Sequence, residues 1–85
     1  MKVVYREKVL RQLKKLDMHI QKKILDYMDE IALLDDPRIK GKVLTGNLGG
    51  IWRYRVEDYR IFCDIEDDKL LITVIKVGHR RDVYK

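Results

Sequence analysis

The spacing of the hydrophobic residues changes once along this chain, near residue 37, and the change restricts the folds that are open to it. Before that point, apolar residues recur every three or four positions, as on one face of a helix. After it, they occur in alternating runs typical of half-buried strands. The helical set forms two stripes: Val9, Leu10, Leu13 and Leu16, then Ile20, Ile24, Tyr27, Met28, Ile31 and Leu34. Two helices followed by a sheet are therefore predicted.

The segments on either side of these helices complete the predicted order of elements. Lys2–Tyr5 is β-prone and reads as an opening strand, Asp17 is placed to cap the second helix, and Asp35-Asp36-Pro37 ends it. Residues 37–50 are rich in glycine and are predicted to form a loop. The predicted strands after this loop are Ile51–Val56, Tyr59–Ile65 and Leu70–Val77. We expect one domain over residues 1–85 with a two-layer α+β fold, in which the first strand and a helical hairpin pack on a mainly antiparallel sheet.

Composition narrows the class of protein. The net charge is +5, and the excess of basic residues falls after residue 36, which implies an anionic partner: nucleic acid, an acidic protein or both. Cys63 is the single cysteine and is expected to be buried in a strand rather than reactive. No signal peptide and no apolar run near the roughly 20 residues of a membrane span is present, so a cytoplasmic protein is expected. No residues have metal-ligand spacing, and we expect neither metal nor cofactor.

Three arginines are predicted to cluster on one hairpin. A two-residue turn at Glu57-Asp58 sets Arg55 opposite Arg60, with Arg53 on the same face. The other face is the expected core side, with Trp52, Tyr54, Val56, Tyr59, Ile61, Cys63 and Ile65. Like charges on paired strands destabilise a sheet and are tolerated most readily at functional sites. The pattern therefore favours an anion site, although a solvated face with splayed side chains fits the same spacing.

The residues after the third strand are the other candidate group. A turn at Asp67-Asp68 predicts Arg60 near Ile75, so that the chain leaves the sheet at Val77-Gly78 beside the arginines. The tail then carries an imidazole, two guanidiniums and a phenol on His79, Arg80, Arg81 and Tyr84. The outer positions Leu71, Ile75 and Val77 are expected to contact a partner, and Lys40 and Lys42 in the loop are candidates for contact with a polyanion. We predict that the tail lies against the basic side of the sheet.

These residues together resemble a known family. The order of elements, with Gly46-Asn47-Leu48, the hairpin motif from Trp52 to Arg60, and Gly78-His79-Arg80-Arg81-Asp82-Val83-Tyr84, is similar to the RelE branch of the RelE/ParE toxin superfamily. The resemblance implies the toxin of a type II toxin–antitoxin pair, a metal-independent endoribonuclease that cuts mRNA in the ribosomal A site by attack of the 2′-hydroxyl. It also implies a RelB-like antitoxin and ribosomal RNA as partners, with operator DNA contacted only through the antitoxin.

The resemblance also assigns roles by position. The expected catalytic set is Arg60 on the scissile phosphate, supported by Arg53 and Arg55, with Arg80 on the leaving-group side and Tyr84 or His79 as the base. The base stays open because the phenol has a reference pKa of about 10 and the imidazole about 6.5, whereas the family favours the tyrosine. The expected RNA-binding set is Arg53, Arg55, Arg60, Arg81, Lys40 and Lys42.

Two other functions share this fold. One is a ParE-like inhibitor that binds DNA gyrase without cutting RNA, and the other is an inactive module that only binds an antitoxin. The arginine row combined with a tail that carries Tyr84 favours the ribonuclease over both.

Overall fold

The computed structural model describes residues 1–44 and 50–83. Its elements are, in chain order, β1 (Lys2–Tyr5), α1 (Glu7–Lys14), α2 (Met18–Leu33), β2 (Lys42–Val43), β3 (Ile51–Val56), β4 (Tyr59–Glu66), β5 (Leu71–His79) and α3 (Arg80–Val83). A short 3₁₀ turn, Asp67–Lys69, lies between β4 and β5. Both predicted helices and the opening strand are confirmed. The Asp17 carboxylate caps α2 as predicted, because it accepts a 3.0 Å hydrogen bond from the backbone N–H of His19.

The strands form one sheet in the order β1-β5-β4-β3-β2. β1 runs parallel to β5, and the other neighbours are antiparallel. The predicted α+β class with a mainly antiparallel sheet is therefore confirmed. Among the described residues, no helix is long and apolar enough to cross a membrane.

The helical hairpin covers one face of the sheet and encloses the core. Its buried side chains come from both layers: Val9, Leu13, Ile24, Met28, Ile31, Tyr54, Val56, Ile61, Cys63, Ile65, Ile72, Val74 and Val77. The predicted core face of the β3–β4 hairpin is confirmed, with Trp52 and Tyr59 half-buried against this cluster. Cys63 is fully buried, and burial raises the pKa of its thiol to about 12.

Tyr54 anchors the segment between α2 and β2 to this core. Its hydroxyl donates a 2.6 Å hydrogen bond to the carbonyl of Pro37, and both residues are fully buried. A Cβ at Gly41 would lie 2.9 Å from the Tyr54 ring, so the backbone can approach the ring this closely only at a glycine. The tyrosine therefore fixes where the chain enters the sheet.

The predicted register between β4 and β5 is wrong, and the reason is local. The connection takes Asp67–Leu70 rather than a two-residue turn, with Leu70 in the left-handed region at φ 49°. A β-bulge then leaves Ile75 without a cross-strand partner between the pairs Cys63–Val74 and Phe62–Lys76. Arg60 consequently pairs with Gly78 instead of Ile75. The extra residue reverses the facing of the β5 side chains that come after it.

Val77 is the residue whose prediction this reversal overturns. It pairs with Ile61 and is 4% exposed inside the core, so it does not belong to an outer, partner-facing surface. Leu71 and Ile75 keep partial exposure. The predicted exit of the chain beside the arginines survives, because β5 extends to His79 and brings Gly78 opposite Arg60.

Candidate anion-binding site

The β3–β4 hairpin has the predicted register. Arg55 pairs with Arg60, Arg53 pairs with Phe62, and the turn consists of Glu57 and Asp58, with Glu57 at φ 53°. The arginines therefore lie together on the sheet surface that faces away from α1 and α2. Lys42, expected in the loop, lies on β2 and pairs with Arg53, which joins it to the group.

A fifth cation, Lys76, lies on the same surface and was missed by the sequence reasoning. It pairs with Phe62, and its ammonium lies 5.7 Å from the centre of that ring. We call the surface that carries Lys42, Arg53, Arg55, Arg60 and Lys76 the basic face. Simple alternation along β5 predicts Lys76 on the core side, because only the bulge at Ile75 turns it to the basic face.

Arg60 is the most enclosed cation of the basic face. It is 7% exposed, and its Nη1 donates 3.1 Å hydrogen bonds to the carbonyls of Glu57 and Tyr59. These are the hydrogen bonds that the structure describes for Arg60. A guanidinium fixed in this way can hold a phosphate oxygen with little loss of side-chain freedom.

Arg53 and Arg55 differ in exposure. Arg53 is half-buried between Lys42 and Phe62, whereas Arg55 at the open end of β3 is exposed. The two arginines therefore place positive charge at successive positions of β3 that face the same side of the sheet. Arg55 directly opposite Arg60 is a like-charge pair of the kind that weakens a sheet.

The tail after β5 is fastened to the β3–β4 turn. The backbone N–H of Arg80 donates a 2.8 Å hydrogen bond to the carbonyl of Asp58, and its Nε lies 3.7 Å from the Asp58 carboxylate. Because that ion pair is exposed, it contributes little to stability, so the backbone bond does most of the positioning. Arg80 is thereby held near the same turn that contacts Arg60.

His79 has a packing role in this arrangement. Its ring meets that of Tyr59 edge to face, with centroids 5.4 Å apart, and its Nδ1 accepts a 3.2 Å hydrogen bond from the backbone N–H of Arg81. A neutral imidazole that accepts at Nδ1 carries its proton on Nε2. The lone pair of Nδ1, the basic nitrogen of His79, therefore already accepts the hydrogen bond from Arg81.

Gly78 allows α3 to fold back over the end of β5. A Cβ built at Gly78 would lie 2.6 Å from Cγ1 of Val83, closer than real side-chain contacts. Gly78 also pairs with Arg60, so α3 begins its path beside the most enclosed arginine.

The remaining predicted site residues lie either away from the basic face or outside the described residues. Arg81 on α3 and Lys40 before β2 are exposed, and neither belongs to the basic face. Tyr84 and the Gly46-Asn47-Leu48 motif lie outside the described residues. Arg38, absent from the predicted set, forms a two-pronged ion pair with Asp67 at 2.7 and 3.1 Å and stacks over Trp52, which ties the loop after α2 to the β4–β5 connection.

The fold matches those of known toxins. The toxin–antitoxin complex RelBE2 of Mycobacterium tuberculosis has 26% sequence identity, a TM-score of 0.82, and coverage of 93% of this chain and 96% of that one. The RelB–RelE complex of Methanococcus jannaschii has 26% identity and a TM-score of 0.75, covering 96% and 95% of the two chains. A free mutant of Escherichia coli RelE, at 24% identity, a TM-score of 0.77 and coverage of 96% and 87%, shares the fold.

Sequence similarity identifies the family. Toxin RelG of Mycobacterium tuberculosis is 32% identical over 73 residues, which are 81% of this chain and 84% of that protein. The family model described as the ParE toxin of the type II toxin–antitoxin system parDE matches residues 3–84. The chain therefore belongs to this family of type II toxins, within the RelE/ParE superfamily.

Proposed function

We propose that this toxin inhibits translation by cutting mRNA in the ribosomal A site, as a metal-independent endoribonuclease of the cytoplasm. The observation that carries the proposal is the pairing of Arg55 with Arg60 beside a tail that is fastened at Asp58 and presents Arg80. A protein gains nothing in stability from opposed arginines. An RNA phosphate becomes more negative during cleavage, and its attraction to both arginines would offset their mutual repulsion.

The chemistry requires a base, cations and an acid. Attack of the 2′-hydroxyl on the adjacent phosphorus forms the bond to the 2′-oxygen and breaks the bond to the 5′-oxygen, leaving a 2′,3′-cyclic phosphate. Arg60 would hold the phosphate, and Arg53 and Arg55 would stabilise its added charge. Arg80 would donate a hydrogen bond to the departing 5′-oxygen, which takes its proton from water. Each such preorganised donor contributes roughly 2.7–4 kcal/mol to transition-state stabilisation.

The contacts of His79 favour Tyr84 as the base. Nδ1 of His79 already accepts a hydrogen bond from Arg81, and Nε2 then bears the proton, so neither nitrogen is ready to take one from the 2′-hydroxyl. We therefore assign proton abstraction to Tyr84 and a packing role to His79.

A RelB-like antitoxin is the proposed protein partner. The solved relatives from Mycobacterium tuberculosis and Methanococcus jannaschii are toxin–antitoxin complexes, and this supports the same assembly here. A basic chain of net charge +5 suits an acidic or amphipathic segment that wraps it. Operator DNA would be contacted through the antitoxin, whereas Arg81, Lys40 and the basic face would meet mRNA and ribosomal RNA.

The test is cleavage of mRNA on programmed ribosomes by purified toxin. Arg60→Ala and Arg80→Ala should each lower the single-turnover rate by about 10²–10³-fold. Arg11→Ala removes an equal charge from the exposed face of α1 and should leave the rate unchanged. Urea unfolding of each variant separates lost chemistry from lost folding, and Arg60→Lys serves if Arg60→Ala fails to fold. Normal cleavage by both alanine variants would show that the assigned site is wrong.

Inhibition of DNA gyrase is the competing function, because the matched family model is described as a ParE toxin. A supercoiling assay with purified gyrase discriminates between the two. We expect intact supercoiling together with cut mRNA. Inhibited gyrase with whole mRNA would replace the proposal, and a protein that does neither while binding its antitoxin would be the inactive module.

A further inference from the structure

The bulge in β5 places Lys76 where uninterrupted alternation would not. If the pairing of Cys63 with Val74 continued unbroken, Lys76 would oppose Ile61, on the core side of the sheet. The unpaired Ile75 shifts the register, so Lys76 opposes Phe62 and Val77 fills the core position opposite Ile61. Bulges often lie beside functional sites, where they re-aim a side chain. The bulge at Ile75 therefore places Lys76 on the basic face and not on the core side of the sheet.

Phe62 supports Lys76 in that position. It is 7% exposed yet lies outside the core cluster that the helices cover, since it is on the opposite side of the sheet. Arg53 opposes Phe62 from β3 and Lys76 opposes it from β5, with the Lys76 ammonium 5.7 Å from the ring centre. The contact with the ring face favours a cation on this side of the sheet.

The charge of Lys76 is available to a ligand. Within the described residues, no ion pair uses Lys76, Lys42 or Arg55. Lys76 is exposed, and the nearest acid along β4 on this side is Asp64, two positions beyond Phe62. Strand spacing of about 4.8 Å sets the Lys76 backbone roughly 10 Å from that of Arg53 across the sheet. Lys42, Arg53 and Lys76 thus form a row of cations beside the Arg55–Arg60 pair.

We propose that Lys76 is a further RNA-binding residue, which holds a backbone phosphate flanking the one that is cut. The inference rests on the proposed function. RNA fits this row better than an acidic protein does, because Phe62 is almost fully covered and offers little exposed apolar surface to an anchor side chain. A lysine ammonium is a hydrated point charge, so Lys76 positions RNA rather than stabilising the reacting phosphate.

Binding to an uncleavable complex tests this role. The probe is a ribosome programmed with mRNA that carries 2′-deoxyribose at the cut position, titrated with toxin over a range of KCl concentrations. Lys76→Gln should weaken binding about 3- to 10-fold near 0.1 M KCl and reduce the slope of log Kd against log [KCl] by about 0.7, the loss of one phosphate contact. Lys76→Arg should retain binding. Lys14→Gln, a matched loss of charge on α1, should match wild type.

The outcomes separate this inference from the function on which it rests. With cleavable mRNA, Lys76→Gln should raise KM and leave kcat near wild type. If Lys76→Gln behaves like Lys14→Gln while wild type binds and cuts, Lys76 has no such role and the proposed function stands. If it loses affinity for the antitoxin alone, the row belongs to a protein interface and the inference is wrong. A wild type that neither binds nor cuts overturns both.

Discussion

The hydroxyl groups of Tyr5 and Tyr54 are both buried, and in the described part of the chain only that of Tyr54 has a hydrogen-bond partner. Tyr54 donates to the Pro37 carbonyl at 2.6 Å, whereas the hydroxyl oxygen of Tyr5 is enclosed without a partner. Burial raises the pKa of Tyr5 to about 12, and it raises that of Tyr54 as well. The same functional group therefore has opposite energetic consequences at the two positions.

We predict that Tyr54→Phe lowers the free energy of unfolding, whereas Tyr5→Phe leaves it almost unchanged or raises it. Tyr54→Phe leaves the buried Pro37 carbonyl unsatisfied and should lower the free energy of unfolding by about 1–3 kcal/mol. Tyr5→Phe removes an unpaired hydroxyl and should change it by less than about 0.5 kcal/mol or increase it. Urea unfolding at pH 7 measures both. Equal losses in the two variants would contradict the assigned hydrogen bonding.

Cys63 gives a prediction for alkaline pH. Its folded pKa is raised from 9.0 to about 12 by burial, so its thiol stabilises the fold fully below pH 9 and loses this contribution as the pH rises from 9 toward 12. The loss from pH 8 to pH 10 should be about 1.4 kcal/mol. Cys63→Ala should remove that part of the pH dependence, whatever it does to stability at pH 7. Parallel stability–pH curves for wild type and variant would show that the thiol does not titrate in this way.

At the scale of elements, the β3–β4 hairpin was predictable and the β4–β5 pairing was not. Glu57 and Asp58 fill a two-residue turn, and such a turn fixes the register of every pair below it, including Arg55 with Arg60. The β4–β5 connection contains a 3₁₀ turn and a left-handed Leu70, and β5 contains a bulge. Since alternation carries no mark of an inserted residue, neither Lys76 on the basic face nor Val77 in the core could be found from the sequence.

The path of α3 over Gly78 gives a prediction at this scale. Gly78→Ala places a Cβ within 2.6 Å of Val83, so α3 must shift, and with it Arg80 and the residues beyond it. A displacement near 1 Å can cost about 10²-fold in rate. We expect a rate loss of about 10- to 100-fold with little change in the free energy of unfolding.

The control for Gly78→Ala is the double variant Gly78→Ala/Val83→Ala. It removes the methyl group that the new Cβ would meet, and it should recover part of the lost rate. Cleavage on programmed ribosomes measures both variants. A fully active Gly78→Ala would mean that α3 does not need this close approach.

Considered as a whole, the molecule separates its packing from its charge. The long helices α1 and α2 and the core lie on one side of the sheet, and the cations of the basic face lie on the other. Residue types and hairpin parity were enough to predict that Arg53, Arg55 and Arg60 share one face of the sheet. The fastening of the tail to Asp58 is a contact between segments that are distant along the chain, so no local pattern encodes it. The hydrogen bond from the Arg81 N–H to His79 is local and lies where β5 passes into α3.

This separation predicts an unusual salt dependence for the whole protein. Cations crowded on the basic face repel one another, and salt screens exposed charges beyond about 10 Å at 0.1 M and about 3 Å at 1 M. Raising KCl from about 0.05 to about 0.5 M should therefore increase the free energy of unfolding of the toxin. The double variant Arg55→Gln/Lys76→Gln should be more stable than wild type at low salt, by about 0.2–1 kcal/mol for the relieved Arg55–Arg60 pair alone, and should respond less to salt.

Lys14→Gln/Lys15→Gln removes the same charge from the helical layer and should keep the wild-type salt response. Urea unfolding at the two salt concentrations measures all three proteins. Equal salt responses would mean that the arginines splay into solvent without interacting, and the stability argument for an anion site on this face would then be lost.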